Sequence, residues 1–126
     1  MGYKIGTTSG NMVTLASLGV VDPRGIYQSY SKAIEVPSGY IRGHGLPKAI
    51  WHWDYCHYNW RNTLRTYCTG ASVLVYIETI TTEKVSNVVD AYKQFSAIMR
   101  WPEIEEIDMH YRMDFEIEFI NLVAVV

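Results

Sequence analysis

The residues of this chain whose spacing could support chemistry are three carboxylates near its end. Asp114, Glu116 and Glu118 recur at every second residue, so on a β-strand they would share one face, about 6.5–7 Å apart at each step. A pair of carboxylates at that separation can catalyse glycoside hydrolysis. Rows of like charge on a strand are more often solvated or matched by a basic partner. We therefore expect no catalytic role and interpret them as a wet or partner-facing row.

The four histidines, His44, His52, His57 and His110, lack the spacing of a metal site. His52 and His57 lie on either side of a predicted strand–helix boundary, so they do not form the i, i+4 pair of a zinc-binding helix. We interpret them as exposed or hydrogen-bonded side chains. The sequence predicts no metal.

Two cysteines and a glycine-rich segment are also better explained by structure than by chemistry. Cys56 and Cys68 are twelve residues apart, about 18 Å if the segment between them is helical, which is too far for a disulfide. They are predicted to be buried thiols. Gly43-His44-Gly45 lacks the further glycine or the Lys-Ser/Thr of a phosphate-binding loop. Since no nucleophile lies in a recognisable elbow, we expect no cofactor and no enzymatic activity.

Composition limits the class of protein. The chain has 126 residues, 48% of them hydrophobic and 13% aromatic, and a formal net charge of −2. That length and apolar content suit one folded domain. The charge argues against nonspecific nucleic-acid binding, which needs clustered cations. No apolar run is long enough to span a bilayer, and segment 12–21 lacks the flanks of a signal peptide, so we expect no membrane insertion.

Period-2 patterns predict the strands that position these residues. From Met109 to Ile120 apolar and charged residues alternate, which predicts a long strand. Its dry face is predicted to carry Tyr111, Met113, Phe115, Ile117 and Phe119. Shorter β-rich runs predict strands over 26–36, 49–53, 72–81 and 91–101. For the last of these a helix is the competing interpretation.

One helix is predicted over residues about 55–68. Cys56, Trp60, Leu64 and Tyr67 recur at spacings of four, four and three, which is typical of one helical face. Asp54 is the expected N-cap. The helix follows a short predicted strand and precedes a meander of three more.

These elements predict a mainly β (α+β) fold, an antiparallel β-sandwich or barrel with one flanking helix. Residues 1–25 are rich in Gly, Ser and Thr and are predicted to form an extended N-terminal arm with weak structure of its own. Residues 26–126 are predicted to form a single domain.

The order of these elements, with the motifs that they carry, resembles the small tail proteins of long-tailed bacteriophages. The resemblance extends over about residues 26–123 and depends on pattern and element order. The segments that carry it are Gly43-His44-Gly45-Leu46-Pro47, Trp51-His52-Trp53-Asp54, a short helix with Trp60, Leu64 and Tyr67, Val75-Tyr76-Ile77-Glu78-Thr79, Tyr92-Lys93-Gln94-Phe95, Met99-Arg100-Trp101-Pro102 and Asp114-Phe115-Glu116-Ile117-Glu118-Phe119.

The resemblance implies a structural virion protein without enzymatic activity, which forms homo-oligomeric rings in the tail tube, tail end or baseplate. It implies other tail proteins as neighbours, assembly in the host cytoplasm, and a channel through which DNA passes without specific binding. The acidic row Asp114, Glu116 and Glu118 would face the lumen, where it would repel phosphates, or a partner. The expected interface residues are Tyr40, Arg42, His44, Leu46, Arg61, Arg65 and Lys84.

Two other classes of protein remain open at this stage. One is a small soluble ligand-binding or enzymatic β-barrel with an aromatic pocket around Trp51 and Trp53. The other is a small adaptor domain that dimerises through a sheet edge. Aromatic residues at alternate strand positions are more often part of a core, so the structural protein is the leading interpretation.

Overall fold

The computed structural model describes residues 3–28, 30, 32–85 and 89–125, and strands make up 57% of it. One α-helix lies within this described part of the chain, α1 (Tyr58–Arg65). The strands, in chain order, are β1 (Lys4–Gly6), β2 (Val13–Thr14), β3 (Arg24–Gln28), β4 (Lys32–Glu35), β5 (Ile41–His44), β6 (Lys48–His57), β7 (Ser72–Val85), β8 (Val89–Arg100), β9 (Glu106–Asp108) and β10 (Tyr111–Ala124). A 3-10 turn spans Ala16–Leu18.

Eight of the strands form one antiparallel sheet in the order β2-β1-β7-β8-β10-β6-β3, with β9 paired to β10. The strands β4 and β5 form a separate two-stranded hairpin. The expectation of a mainly β, antiparallel fold with one flanking helix is therefore confirmed.

The sheet curls around an aromatic core, so that β3 at one end of the strand order packs against β7. A Cβ added to Gly25 of β3 would lie 2.6 Å from Cγ2 of Ile80 on β7, so the side chain of Ile80 packs on the backbone of β3. At the centre, Trp51 on β6 is fully buried and contacts Phe119 at a ring-centroid distance of 4.6 Å. The indole Nε1 of Trp51 donates to Oγ1 of Thr79 at 2.9 Å, so the one polar atom of this ring is satisfied inside the core.

The predicted extended arm at 1–25 is wrong for its described residues, 3–25. β1 pairs with both β2 and β7 inside the sheet. Tyr3, Ile5, Leu15 and Val20 are buried in the core. Strands of two or three residues are too short for an alternation to be visible, so the Gly/Ser/Thr-rich composition of their connections dominated the pattern.

Two predicted boundaries also change. The run 26–36 divides into β3 and β4, which lie in different sheets. β6 continues to His57 because it pairs along this whole length with β10. The helix therefore begins at Tyr58 with His57 as its N-cap, and Nδ1 of His57 accepts from the Asn59 N–H at 3.2 Å. Asp54, the predicted N-cap, lies within β6.

The last strand exchanges its faces partway along. Phe115, Ile117 and Phe119 are buried as predicted, but Tyr111 is exposed and Met113 is only half-buried. Arg112 turns inward instead, with 17% of its side chain exposed. Asp114 has φ of 46°, a left-handed conformation that interrupts the alternation. A shift of one residue moves every following side chain to the other face.

The partner strand β6 makes the same exchange. Trp53 and Cys56 are both buried although they are an odd number of residues apart, while Tyr55 is exposed. The register is unchanged across the irregularity, since Phe115 lies opposite Trp53 and Arg112 opposite Cys56. The two strands thus turn an aromatic pair to the outside together.

Candidate functional site

The first candidate surface is the hairpin formed by β4, its turn and β5 (residues 32–44). Its turn is closed by two backbone hydrogen bonds, from the Gly39 N–H to the Val36 carbonyl and from the Val36 N–H to the Tyr40 carbonyl, both 2.9 Å. Gly39 has φ of 90°, a conformation that glycine adopts without a steric penalty. Pro37-Ser38-Gly39 is therefore the tip of a hairpin.

Apart from the half-buried Val36, the described side chains of the hairpin face solvent. Tyr40 is 77% exposed and Ile41 is 67% exposed, and Ile34 and the adjacent Leu46 are also exposed. β4 and β5 pair with each other and with no other strand in the described part of the chain. An isolated two-stranded hairpin is at best marginally stable in water. The hairpin therefore displays apolar side chains that the body of the subunit leaves uncovered.

The base of the hairpin is anchored by one aromatic ring. A Cβ added to Gly43 would lie 2.6 Å from the Tyr30 ring. Tyr30 thus packs directly on the backbone of β5, and glycine is the residue that permits this approach. Gly43 of the glycine-rich segment therefore lies in β5, where it serves packing.

The second candidate surface is an aromatic patch formed by Tyr55, Tyr111 and Met113. These residues line an open depression of about 310 Å³. The rings of Tyr55 and Tyr111 meet edge to face at 5.5 Å, and Tyr55 is 55% exposed. Clustered exposed apolar side chains mark interaction sites more often than scattered ones do. The pattern of the last strand placed Tyr111 and Met113 inside, so sequence reasoning missed this patch.

Acidic side chains border the aromatic patch. In the pairing of β9 with β10, Glu106 lies opposite Met113 and Asp108 lies opposite Tyr111. Directly opposed residues of antiparallel strands share a face. Both carboxylates are exposed, as is Asp114 beside Met113. The patch therefore combines an apolar centre with a negative border.

The acidic row is partly paired with side chains of the same subunit. Oε1 of Glu116 lies 3.0 Å from Nδ1 of His52, and Oε1 of Glu118 lies 3.3 Å from Nη1 of Arg100. Asp114 is exposed on the same outer surface. The row was expected to face a basic partner, and β6 and β8 of the same subunit supply part of that partner. These contacts hold the strands in register.

Among the described residues, His52, Asp54 and Asp114 form a group of possible metal ligands, with their ligand atoms within 4.8 Å of one another. A cation already contacts this group, because Nη2 of Arg24 lies 2.7 Å from Oδ1 of Asp54. Both ring nitrogens of His52 face carboxylates as well, Nε2 that of Asp54 at 3.1 Å and Nδ1 that of Glu116. Ion pairing accounts for the arrangement, and we assign no metal to it.

The aromatic pocket considered as an alternative does not form around the two tryptophans. Trp51 and Trp53 are both core residues, and Nε1 of Trp53 donates to the Val21 carbonyl at 2.8 Å. The cleft beside Trp53 is open and holds about 210 Å³, below the ~300 Å³ of typical ligand pockets. Its lining residues are Val21, Asp22, Arg24, His52, Trp53, Asp54, Tyr55 and Trp60.

The cysteines do not supply a nucleophile. Both are free and buried, as predicted. Burial raises the pKa of the Cys56 thiol to about 12 and also raises the pKa of Cys68. Thiols in this state are not reactive thiolates at neutral pH.

Arg61 and Arg65, two of the predicted interface residues, are engaged within the subunit. Arg61 makes a two-pronged ion pair with Glu105, with Nε–Oε1 at 2.9 Å and Nη2–Oε2 at 3.0 Å. Both guanidinium groups lie over the ring of Trp101, at 5.4 Å for Arg61 and 4.7 Å for Arg65. This cluster fastens α1 to the segment that connects β8 with β9. Their selection as interface residues missed this structural role.

The pKa shifts at this cluster follow from the two-pronged ion pair between Arg61 and Glu105. The hydrogen bond from Arg61 lowers the pKa of Glu105, and the hydrogen bond to Glu105 raises the pKa of Arg61. Arg112 adds a third cation at 3.5 Å from Oε1 of Glu105. No contact was predicted for Glu105. Its position in the sequence gives no signal that it pairs with Arg61 and Arg112.

The remaining predicted interface residues divide into two groups. Tyr40, Arg42 and Leu46 are exposed along the hairpin, with Tyr40 at its tip and Leu46 just beyond its base. His44 ends β5 and Lys84 lies in β7, but their side chains lie outside the described part of the structure. Their role at an interface stays a prediction.

No helix among the described residues is long and apolar enough to cross a membrane. No family model, curated protein or solved structure matches the chain. The functional inference therefore depends on the geometry of the surfaces described above.

Proposed function

We propose that this protein is a structural subunit that assembles with copies of itself into a ring, as a component of a bacteriophage tail. In this role it acts without catalysis, and its neighbours are other tail proteins of the virion. The observation that carries the proposal is the hairpin, whose apolar side chains are exposed and whose strands pair only with each other among the described residues.

The physical support lies in the cost of such a hairpin to an isolated subunit. In a protein that acts alone, polar residues in place of Tyr40 and Ile41 would cost no stability. Burial of each side chain by a neighbouring subunit would stabilise the assembly by roughly 1.5–3 kcal/mol. The body has no need of these residues for its own core, which the aromatic residues around Trp51 fill. A contact with a neighbouring subunit would explain why the hairpin carries exposed apolar side chains.

A second contact is available at the end of the sheet. β2 is the first strand in the order and carries the exposed side chain of Val13. Strand edges can pair with strands of another chain. A ring needs the same contact repeated by rotation until it closes, and a hairpin with a sheet edge can supply it.

Within such a ring, we assign the row of Asp114, Glu116 and Glu118 to the channel through which DNA passes. All three carboxylates lie at the surface, and only part of their charge is matched by His52 and Arg100. Negative charge along a lumen repels phosphates and prevents DNA from sticking. Normal assembly and DNA passage after Asp114→Asn, Glu116→Gln and Glu118→Gln together would remove this assignment.

The test of the proposed function is the mass of the purified chain as its concentration rises. We expect a discrete oligomer by analytical ultracentrifugation, and closed rings or stacked tubes by negative-stain electron microscopy. Mixing with a candidate tail neighbour should extend the assembly. A chain that stays monomeric up to its solubility limit, alone and with such neighbours, would contradict the proposal.

A further inference from the structure

We propose that the hairpin of one copy docks onto the aromatic patch of the next copy, in a head-to-tail contact. This inference rests on the proposed function, because it names the two surfaces through which the subunits would join. The occupant of the patch is thus a second copy of this chain.

The chemistry of the hairpin follows from its register. Ile34 lies opposite Arg42, and Lys32 lies two residues before Ile34 on the same strand. These three side chains therefore share one face of the hairpin, and all are exposed. That face is apolar at its centre and positively charged at its sides.

The aromatic patch has the complementary chemistry. Its centre is Tyr55, Tyr111 and Met113, and the carboxylates of Glu106 and Asp108 border it through the pairing of β9 with β10. Positive groups around an apolar face fit negative groups around an apolar depression, which gives both burial and orientation. Tyrosine and methionine are enriched at such contacts, and Arg42 is of the type most often found at their centre.

Geometry makes the contact intermolecular. The hairpin joins the body where Gln28 of β3 lies opposite Lys48 at the start of β6, whereas Tyr55 lies near the other end of β6. Tyr55 lies seven residue steps along β6 from Lys48, which is ~23 Å at about 3.3 Å per step. Tyr40 at the hairpin tip and Tyr55 in the patch are both exposed, so neither surface covers the other.

Two different surfaces at opposite ends of a subunit form a heterologous contact. Such a contact leaves a free hairpin at one end of any open chain of subunits and a free patch at the other, until rotation closes a ring or a filament grows. A contact of the hairpin with itself would instead stop at a dimer. The two arrangements predict different behaviour when defective variants are mixed.

The experiment uses two full-length variants that each lose one surface. The hairpin variant is Tyr40→Ser with Ile34→Ser, and the patch variant is Tyr55→Ser with Tyr111→Ser. Each alone is expected to lose assembly, with self-association weakened roughly thirtyfold or more. Mixed in equal amounts, they should form a heterodimer and nothing larger, because only the intact hairpin of one and the intact patch of the other can meet.

A matched control separates this result from a general loss of apolar surface. Leu74→Ser removes a side chain that is 60% exposed on β7, outside both surfaces, and should assemble as the original chain does. Circular dichroism of each variant checks that the body is folded, and a patch variant that misfolds is replaced by Asp108→Lys with Glu106→Lys, which reverses the border charge alone.

The outcomes separate the docking proposal from the proposed function. Rings that persist in both variants would overturn the docking contact while leaving the ring-forming function in place. If the patch variant assembles normally and the hairpin variant does not, the hairpin binds a surface other than the aromatic patch. That result would overturn the docking proposal. An original chain that is monomeric throughout would overturn both. A heterodimer from the mixture alone supports the head-to-tail contact.

Discussion

The curled sheet and the hairpin use the same residue types in opposite ways. In the sheet, Trp51 is 0% exposed and its ring is enclosed by Phe119 and its neighbours. In the hairpin, Tyr40 and Ile41 face solvent. The sheet therefore accounts for the stability of the subunit, and the hairpin adds apolar surface that the fold does not require.

This difference separates two kinds of mutational effect. Changes in the core should lower the free energy of unfolding whatever the state of assembly. Changes in the hairpin should leave the free energy of unfolding of a dilute subunit unchanged and alter only association. The predictions below test this separation in order of expected effect.

The largest loss is expected for Trp51→Ala. Removing a fully buried indole leaves a cavity, and such changes typically lower the free energy of unfolding by about 3–5 kcal/mol. Urea denaturation of the dilute protein, followed by circular dichroism, measures the loss. Trp51→Phe keeps a ring but leaves the hydroxyl of Thr79 without its donor, so its effect should be smaller than that of Trp51→Ala.

The next effect is expected at Gly25, where β3 packs against β7. The added Cβ of Gly25→Ala would meet Oη of Tyr3 and, at 2.6 Å, Cγ2 of Ile80, and overpacking of this kind costs about 1–3 kcal/mol. Gly70→Ala is the matched control, because a Cβ there meets nothing within 4 Å. Equal midpoints of thermal unfolding for the two variants would show that the sheet does not curl as described.

Glu105→Gln should lower the free energy of unfolding by about 1–2 kcal/mol, since it removes the charge-assisted ion pair with Arg61, which is partly exposed to water. The pKa of Glu105 is lowered in the folded protein, so its contribution is fully present above the usual carboxyl pKa. The contribution is lost as the pH falls through the lowered pKa. Stability measured against pH should therefore show the two proteins converging in acid, whereas Glu103→Gln, at an exposed carboxylate, should not change the acid limb.

Much of this body was accessible from the sequence, because long strands repeat their pattern often enough to be recognised. Phe115, Ile117 and Phe119 were placed in the core by alternation alone, and the antiparallel arrangement followed from short connections. The stripe that includes Leu64 correctly predicted a helix, although its start moved to Tyr58.

The surfaces were harder to predict, because they depend on local breaks in regularity. The left-handed φ of Asp114 exchanges the faces of β10. The alternating residue types of this strand do not predict that exchange. The fork between Arg61 and Glu105 joins residues far apart in the chain. Tyr40, Arg42 and Leu46 were predicted as interface residues, but no strand was predicted there, since β5 is only four residues long.

The smallest effect on stability is expected for Ile41→Ser in the hairpin. Its side chain is 67% exposed, and substitutions at such sites usually change the free energy of unfolding by less than about 0.5 kcal/mol. Ile77→Ser makes the same chemical change at a fully buried site of β7 and should cost several times as much. Urea midpoints of both variants at low protein concentration give the comparison. Equal losses would mean that the hairpin packs on the body in solution, and the separation of stability from assembly would then have to be abandoned.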